Sequence, residues 1–481
     1  MRILHFYWVD PEDRAARGGG VRGYAQSLMA EQRATNGHHC TALSAGLAHD
    51  ISPTAPPKWR AVGPDRYEFV NTRPIAPSHA DFASPAQLSD PATEALFRAF
   101  LHRTGPYDVI HFHGLEGLPA RVLEMRRELP ETRFVLSLHN YYPFCPQVNL
   151  WWQERAHCAD FEQGRRCATC LPLEPNPMAI RRAYAVEGAF AKLGAPPGSW
   201  GYDRLLRPAL VGGWRMLKAL RGRNTPAPTT PTADTDTHAA AGRHFAQRRA
   251  EMVRLINTHC DTVLAVSDRV RDIAKGFGIG KAQTCYIGTR HASEWARTKP
   301  RDVRQAPLRL VYLGYMRADK GFGFLLDALH VMPADVLARL HLTVAARKGP
   351  QQMMTRLQAL IPRLAGLQRH DGYTAAEMDG ILAQADIGIV PPLWEDNLPQ
   401  VALEMHARHI PLITSDRGGA QELPGTRQLV FRAGDAADFA RVLDLVLSGS
   451  VDWTAYWSGA RAPTDLSAHA EQLDSFYAGA T

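Results

Sequence analysis

The run Val390-Pro391-Pro392-Leu393-Trp394-Glu395-Asp396-Asn397-Leu398-Pro399-Gln400-Val401-Ala402-Leu403-Glu404-Met405 sets two carboxylates, Asp396 and Glu404, eight positions apart. Between them stands a proline of the kind that suits a first helical turn. A buried strand ends, a loop carries Asp396, and a helix opens at Pro399, with Glu404 about one and a half turns inside it. Such a helix start offers unpaired N–H groups and partial positive charge to an anion. Flanking carboxylates can accept hydrogen bonds from sugar hydroxyls. A surface loop before an amphipathic helix, with Glu404 merely solvated, has the same periodicity, so the residues around the pair must separate the two readings.

Downstream come Pro411-Leu412-Ile413-Thr414-Ser415 and Gly418-Gly419-Ala420-Gln421-Glu422. With the Leu398-Pro399 step, this stretch resembles the retaining glycosyltransferases of family 4, which have the GT-B fold and carry two acids at this spacing. Asp396 stands where that family usually has Glu. The resemblance implies that Asp396 contacts the donor sugar and Glu404 the ribose hydroxyls of the nucleotide. A second element is Leu313-Gly314-Tyr315-Met316-Arg317-Ala318-Asp319-Lys320-Gly321. The family has an Arg just after the first Gly and a Lys five positions on, both holding the departing diphosphate. Lys320 matches, whereas Tyr315 occupies the Arg position, and Arg317 offers a cation from a shifted one. Any single loop lysine is usually just solvated, but the glycine-flanked strand end favours phosphate binding.

The resemblance thus names Asp396, Lys320 and His139 as catalytic and Glu404, Gly314, Arg317, Asn397 and Leu398 as donor-binding. His139 ends a buried strand where the family often has a histidine near the transferred sugar; a hydrogen-bonded structural histidine fits the position equally. Gly18-Gly19-Gly20 allows close backbone approach at a helix start, which puts Gly19 and Gly20 in the ligand-binding set. The triplet is not G-x-G-x-x-G, which disfavours a nicotinamide site. His111 and His113 read as structural. Asp234-Thr235-Asp236 has metal-motif spacing but lies in a low-complexity stretch. No cofactor or metal is therefore expected in catalysis, and Lys320 with helix N–H groups is expected to stabilise the leaving diphosphate.

Cys145, Cys158, Cys167 and Cys170 are a separate question. Cys167-x-x-Cys170 is a chelating pair, and the two upstream thiols complete a possible structural zinc site of four thiolates. Unrelated thiols in a loop-rich insertion are the alternative. Residues 176–223 hold nine Lys and Arg against two acids, an excess equal to the net charge of +7 of the whole chain. Trp200, Tyr202, Leu205 and Trp214 interleave with them. Such a segment suits an anionic membrane surface or an ordinary solvated face, and no motif accompanies it that would favour nucleic acid.

Positioning these residues takes two alternating βα halves. Strands are expected at 2–8, 107–113, 133–139 and 262–267, then at 308–313, 340–345, 387–391 and 410–415. The 481 residues exceed one core. The expected architecture is α/β and GT-B, two facing Rossmann-like parallel-sheet domains with a cleft between them. Residues 1–300 form the acceptor-side domain, interrupted by the insertion at about 145–242. Residues 301–455 form the donor domain, and a helix in 456–481 packs back on the first. No run of about 20 apolar residues is present, the start lacks a secretory signal, and seven cysteines do not make a secreted disulfide framework. A cytoplasmic protein is expected, peripheral on a membrane if the basic segment binds there. The expected function is transfer of a sugar from a nucleotide-diphosphate donor to a hydroxyl of a glycan or lipid-linked acceptor. A non-catalytic sugar-nucleotide-binding subunit and a sugar-nucleotide epimerase of the same fold are the alternatives.

Overall fold

The computed structural model describes residues 1–479 except 16, 53, 172–175, 210–234 and 304–306. Two compact units divide the chain: Met1–Ser137, Tyr141–Val148 and Asp160–Val263 form one, and Leu138–Asn140, Asn149–Ala159 and Leu264–Thr481 the other. The break at residue 263 lies well before the expected one near 300.

In the first unit β1 (Arg2–Phe6), β2 (His39–Ala48), β3 (Lys58–Gly63), β4 (Arg66–Val70), β5 (Val109–Phe112) and β6 (Arg133–Leu138) lie in the order β6-β5-β1-β2-β4-β3. All neighbours are parallel except the β3–β4 hairpin at the edge. β1, β5 and β6 are almost wholly buried, as expected of parallel strands covered on both faces. Helix α1 (Gly19–Ala34) starts at the glycine triplet. Helix α2 (Pro91–Thr104) has Pro at its first position and Asp90 as cap, accepting from the Thr93 amide. Its Phe97 and Phe100 pack edge-on against Phe69. In the insertion, α3 (Pro177–Lys192) is capped by Asn176, which accepts from the Met178 and Ala179 amides. The tract 224–234 and the residues Trp214, Arg215, Lys218, Arg221 and Arg223 of the basic segment lie outside the described residues.

The second unit holds helix α4 (Asp268–Gly276) and the strands β7 (Leu308–Tyr315), β8 (Leu340–Arg347), β9 (Gly366–Asp371), β10 (Ile387–Val390), β11 (Leu412–Ser415) and β12 (Val430–Phe431). The strand order is β9-β8-β7-β10-β11-β12, parallel throughout. The order reverses between β7 and β10, and in such sheets ligands bind outside the carboxyl ends of the strands at that point. The loops leaving β7 and β10 are the two motif segments read above. Helix α5 (Phe322–His330) follows the first loop, and α6 (Gln400–Ala407) the second. The single expected C-terminal helix is two, Trp453–Ser458 and α7 (Leu466–Ala478). Between them Gly459 and Pro463 interrupt the helix, one by backbone entropy and the other by lacking an N–H. His469 of α7 packs on Gly288, and the Thr289 amide donates to the Thr464 carbonyl. The helix thus returns to residues 288–289, which were expected in the first domain.

Candidate active site in the second unit

Two glycines let the loops at the switch point touch. Gly321 has φ +74°, and a Cβ there would overlap the Pro391 carbonyl oxygen. Gly418 has φ +71°, and a Cβ there would overlap the Asp396 carbonyl oxygen. Side chains at either place would force the backbones apart. The loops are tied further by the Leu393 amide donating to the Asp319 carbonyl (2.9 Å) and the Gly419 amide to the Asp396 carbonyl (2.9 Å).

This approach brings Lys320 onto Asp396. The ammonium Nζ lies 2.7 Å from Asp396 Oδ2 and 5.0 Å from the centre of the Trp394 ring. Beside the pair, Asn397 is only 5% exposed, and neither the oxygen nor the nitrogen of its amide has a hydrogen-bond partner. Buried polar groups are rarely left so, because each unmade bond costs about 1–3 kcal/mol. Its own carbonyl is occupied, accepting from Ser267 Oγ at 2.9 Å. Leu398 is buried next to it.

Glu404 sits half-way along α6, which begins at Gln400 with Pro399 as its cap. Burial raises its carboxyl to about 7, against the opposing fields of Arg408 and Arg290. Tyr373 Oη donates to it at 3.5 Å, and His291 Nε2 lies 3.7 Å away.

Arg317 does not reach the Lys320–Asp396 pair in this structure. Its guanidinium is engaged bidentately by Asp319 at 2.8 and 3.0 Å, with 62% of the side chain exposed. Gly314 has φ +134°, a value suited to glycine, and Tyr315 projects into solvent. His139 follows β6 and groups by its contacts with the second unit. Burial, helped by the field of His469, lowers its imidazole to about 3, so it is neutral at physiological pH. Gly19 and Gly20 are exposed at the start of α1, in the first unit.

One acid was missed in the sequence. Glu395, the neighbour of Asp396, is 0% exposed and paired with two arginines. Arg269 of α4 grips it at 2.6 and 2.9 Å, Arg417 donates at 2.9 Å and the Gly418 amide at 2.9 Å. A short hairpin, Trp151–Trp152 with Ala156–His157, adds His157 at 4.0 Å. Burial opposes ionisation of Glu395, but these donors outweigh it and hold the carboxyl down to about 2. Glu395 therefore anchors the loop whose next two residues are Asp396 and Asn397. Arg417 lies between two segments already singled out, so the pairing had a partial signal; Arg269, 126 residues away, had none.

The four-thiolate zinc site is not assembled among the described residues. Cys145, Cys167 and Cys170 are buried and Cys158 is half-buried. Cys170 Sγ lies 2.9 Å from Gln147 Oε1. The single described group of His, Cys, Asp or Glu side chains close enough to share an ion is His5, His111 and His113, wholly buried in the first unit. His5 Nδ1 and His113 Nε2 are hydrogen-bonded at 3.1 Å, and His111 Nε2 and Ser137 Oγ at 2.8 Å. Among the described residues no helix is long and apolar enough to cross a membrane.

The fold is shared with known proteins. Residues 307–448 match the family model described as glycosyl transferases group 1. Sucrose-phosphate synthase from Thermosynechococcus elongatus superposes with a TM-score of 0.54 at 15% identity, over 100% of this chain and 99% of that one. An α,α-trehalose-phosphate synthase from Burkholderia xenovorans, in complex with glucose-6-phosphate, gives 0.56 at 13%, over 100% of both chains. HepE of Anabaena, in complex with UDP and glucose, gives 0.50 at 12%, over 99% of both. No curated protein sequence matches the chain. The fold and the matched domain define the class: a glycosyltransferase with the GT-B fold, built on two Rossmann-like units.

Proposed function

We propose that the enzyme transfers a sugar, with retention of anomeric configuration, from a nucleotide-diphosphate donor to a hydroxyl of a glycan or lipid-linked acceptor. The observation that carries this reading is the Lys320–Asp396 ion pair at the sheet's switch point, with the unpartnered Asn397 amide beside it. As the bond between the sugar and the diphosphate breaks, negative charge builds on the leaving oxygen. The Lys320 ammonium neutralises it, so the chain itself supplies the cation and the step requires no divalent ion. Asp396 and the Asn397 amide take the sugar hydroxyls, and the ionised Glu404 takes the ribose hydroxyls. His139, neutral and thus able to accept or donate one hydrogen bond, serves the transferred sugar. Among the similar structures, that of HepE holds UDP and glucose, which supports a nucleotide-sugar donor.

The test is a thermal-shift panel of nucleotide sugars on the whole chain, since a ligand that binds only the folded state raises its stability. A donor that raises Tm should then be turned over, with product configuration read by NMR. If no nucleotide sugar shifts Tm, the reading fails. One observation favours the non-catalytic alternative: Tyr315 removes a cation and Asp319 already holds Arg317. Tight nucleotide binding with neither hydrolysis nor transfer would establish it.

A further inference from the structure

The start of α4 carries more than the arginine that grips Glu395. There Tyr286 Oη stands between two carboxyls, 2.5 Å from Glu422 Oε2 and 2.9 Å from Asp268 Oδ2. A hydroxyl carries one hydrogen and a carboxylate none. Two hydrogen bonds around one hydroxyl oxygen therefore need a second hydrogen, and one of the carboxyls must bring it. Among the described residues no other donor bonds to Asp268 Oδ2, since the Arg461 guanidinium stays 3.7 Å away.

The surroundings distinguish the two carboxyls. Asp268 Oδ1 accepts from Arg271 and from Thr284, at 2.6 Å each. Burial opposes its ionisation, but Thr284, Tyr286 and the charges of Arg271 and Arg461 outweigh it and hold the carboxyl below its ordinary range. Among the described residues no cation pairs with Glu422, and burial lifts its carboxyl above the ordinary range, against the Tyr286 hydroxyl and two amides. The remaining charges near the chain are committed. Arg269 is spent on Glu395, and Arg461 lies over the Tyr286 ring, 4.0 Å from its centre. His469 of α7 meets only the Tyr286 backbone, and burial lowers its imidazole to about 4, so it is neutral.

This chain of oxygens is fixed to the loop of the candidate site. Glu422 ends the short turn Gly419–Glu422 and accepts from the first amides of α4, Asp268 at 3.0 Å and Arg269 at 2.6 Å. The same stretch reaches the loop: Ser267 Oγ donates to the Asn397 carbonyl, and the Arg269 guanidinium to Glu395. Gly419 lies so close that a Cβ there would overlap the Ser267 side chain. Any shift of the α4 start therefore pulls on Glu395 and Asn397 together.

We propose that Glu422, Tyr286 and Asp268 share one proton at neutral pH, resident on Glu422, and act as positioning residues that hold the start of α4 against the Glu395–Asn397 loop. The consequence for the donor rests on the transfer proposed above; the proton and the clasp do not. A carboxyl that keeps its proton above its unfolded value of 4.5 contributes stability that is fully present below that value and is lost as pH rises through the folded one. Glu422→Gln carries an N–H at every pH and so supplies the second hydrogen permanently.

The test is chemical denaturation of the full chain from pH 5 to 8, with hydrogen exchange read by mass spectrometry at pH 7. The folding constant of Glu422→Gln relative to the unmodified chain should rise about tenfold or more over that range, the equivalent of one pKa unit. The contribution of Glu404 is common to both proteins and cancels. Glu422→Ala should speed exchange in residues 393–398 about tenfold, and Glu422→Gln should restore protection. Tyr286→Phe leaves both amide bonds to Glu422 in place and removes only the middle oxygen; it should also speed exchange there, and it carries this arm if Glu422→Ala does not fold. A ratio that stays flat with pH overturns the shared proton. Unchanged exchange in the Ala and Phe variants, or exchange raised as much by Gln as by Ala, overturns the clasp. UDP titrated into the same proteins separates the two readings. Equal binding by the unmodified chain and by Tyr286→Phe sinks the positioning role, whereas no binding to any of them, with exchange as expected, counts against the donor reading alone.

Discussion

Lys320 and Asp396 are 76 residues apart in sequence and 2.7 Å apart in space, and their pair joins the two loops at the reversal of the second sheet. A cation so held is oriented before any substrate arrives, which is the condition for it to act on developing charge without reorganisation.

Lys320→Ala should therefore lower turnover by about a hundredfold or more, the scale of losing one preorganised charge contact. Asp396→Asn keeps volume, removes the anchor and should lower turnover more than donor affinity. The double variant should cost less than the product of the singles, because each disrupts the same pair. Single-turnover kinetics with donor affinity measured separately would check this; a near-normal rate for Lys320→Ala would refute the assignment.

Tyr315 is exposed at the carboxyl end of β7 and makes room for a longer side chain. Tyr315→Arg should leave turnover intact or raise it, because a second cation near the diphosphate relieves Lys320 of part of the charge. A fall of tenfold or more, with the melting curve unchanged, would mean the tyrosine itself contacts substrate.

Glu404 yields a prediction of opposite signs. Burial lifts its carboxyl from 4.5 to about 7, so between those values the folded chain holds a proton that the unfolded chain does not. Stability attributable to this group therefore falls as pH rises from about 4.5 to 7, by about 3 kcal/mol at most. Glu404→Gln should accordingly raise Tm at pH 8. Ribose recognition needs the carboxylate, so nucleotide affinity of the unmodified chain should drop as pH is lowered through about 7, and the Gln variant should bind weakly at every pH. Titration calorimetry at pH 6 and 8 reads both; a pH-independent affinity would argue against Glu404 as a nucleotide ligand.

Glu395 behaves in the reverse sense. Its carboxyl is held to about 2, so its contribution is fully present above its ordinary value of 4.5 and is lost as pH falls toward 2. Glu395→Gln leaves Arg269 and Arg417 without their partner and should cost about 3–5 kcal/mol, the scale of breaking a buried pair. Calorimetry should show a fall in the Tm of the second unit, and nucleotide affinity should fall with it, since Gly418 and the Asp396–Asn397 backbone lose their anchor. A stable variant with normal binding would show that the network is dispensable.

The described part of the basic segment leaves Leu193, Trp200 and Leu205 largely exposed near Arg204 and Arg207. If it serves a membrane surface, the chain should sediment with anionic vesicles at low salt and be released at high salt, each Lys or Arg contributing about 1 kcal/mol. Charge reversal at Arg204 and Arg207 should weaken the association. Indifference to anionic vesicles at low salt would exclude this role.

The sequence by itself determined the α/β class and the strands whose following segments carry Lys320, Asp396 and Glu404, because buried parallel strands are near-continuous apolar runs and their loops follow directly. Strand β9, GLQRHD, was missed because an edge strand with little burial carries no apolar run, and β12 because it has two residues. Which of the adjacent acids anchors and which serves the site was also beyond local reading. Glu395 and Asp396 differ only in the direction a turn sends their side chains, one to Arg269 and Arg417 and the other to Lys320. The same holds for Arg317, whose charge Asp319 takes up, and for the cysteines, whose spacing permits a chelate that their packing does not form. Local patterns record burial and backbone geometry. Partnership between distant charges is decided only when the sheet closes and each ion either finds its counter-ion or stays in water.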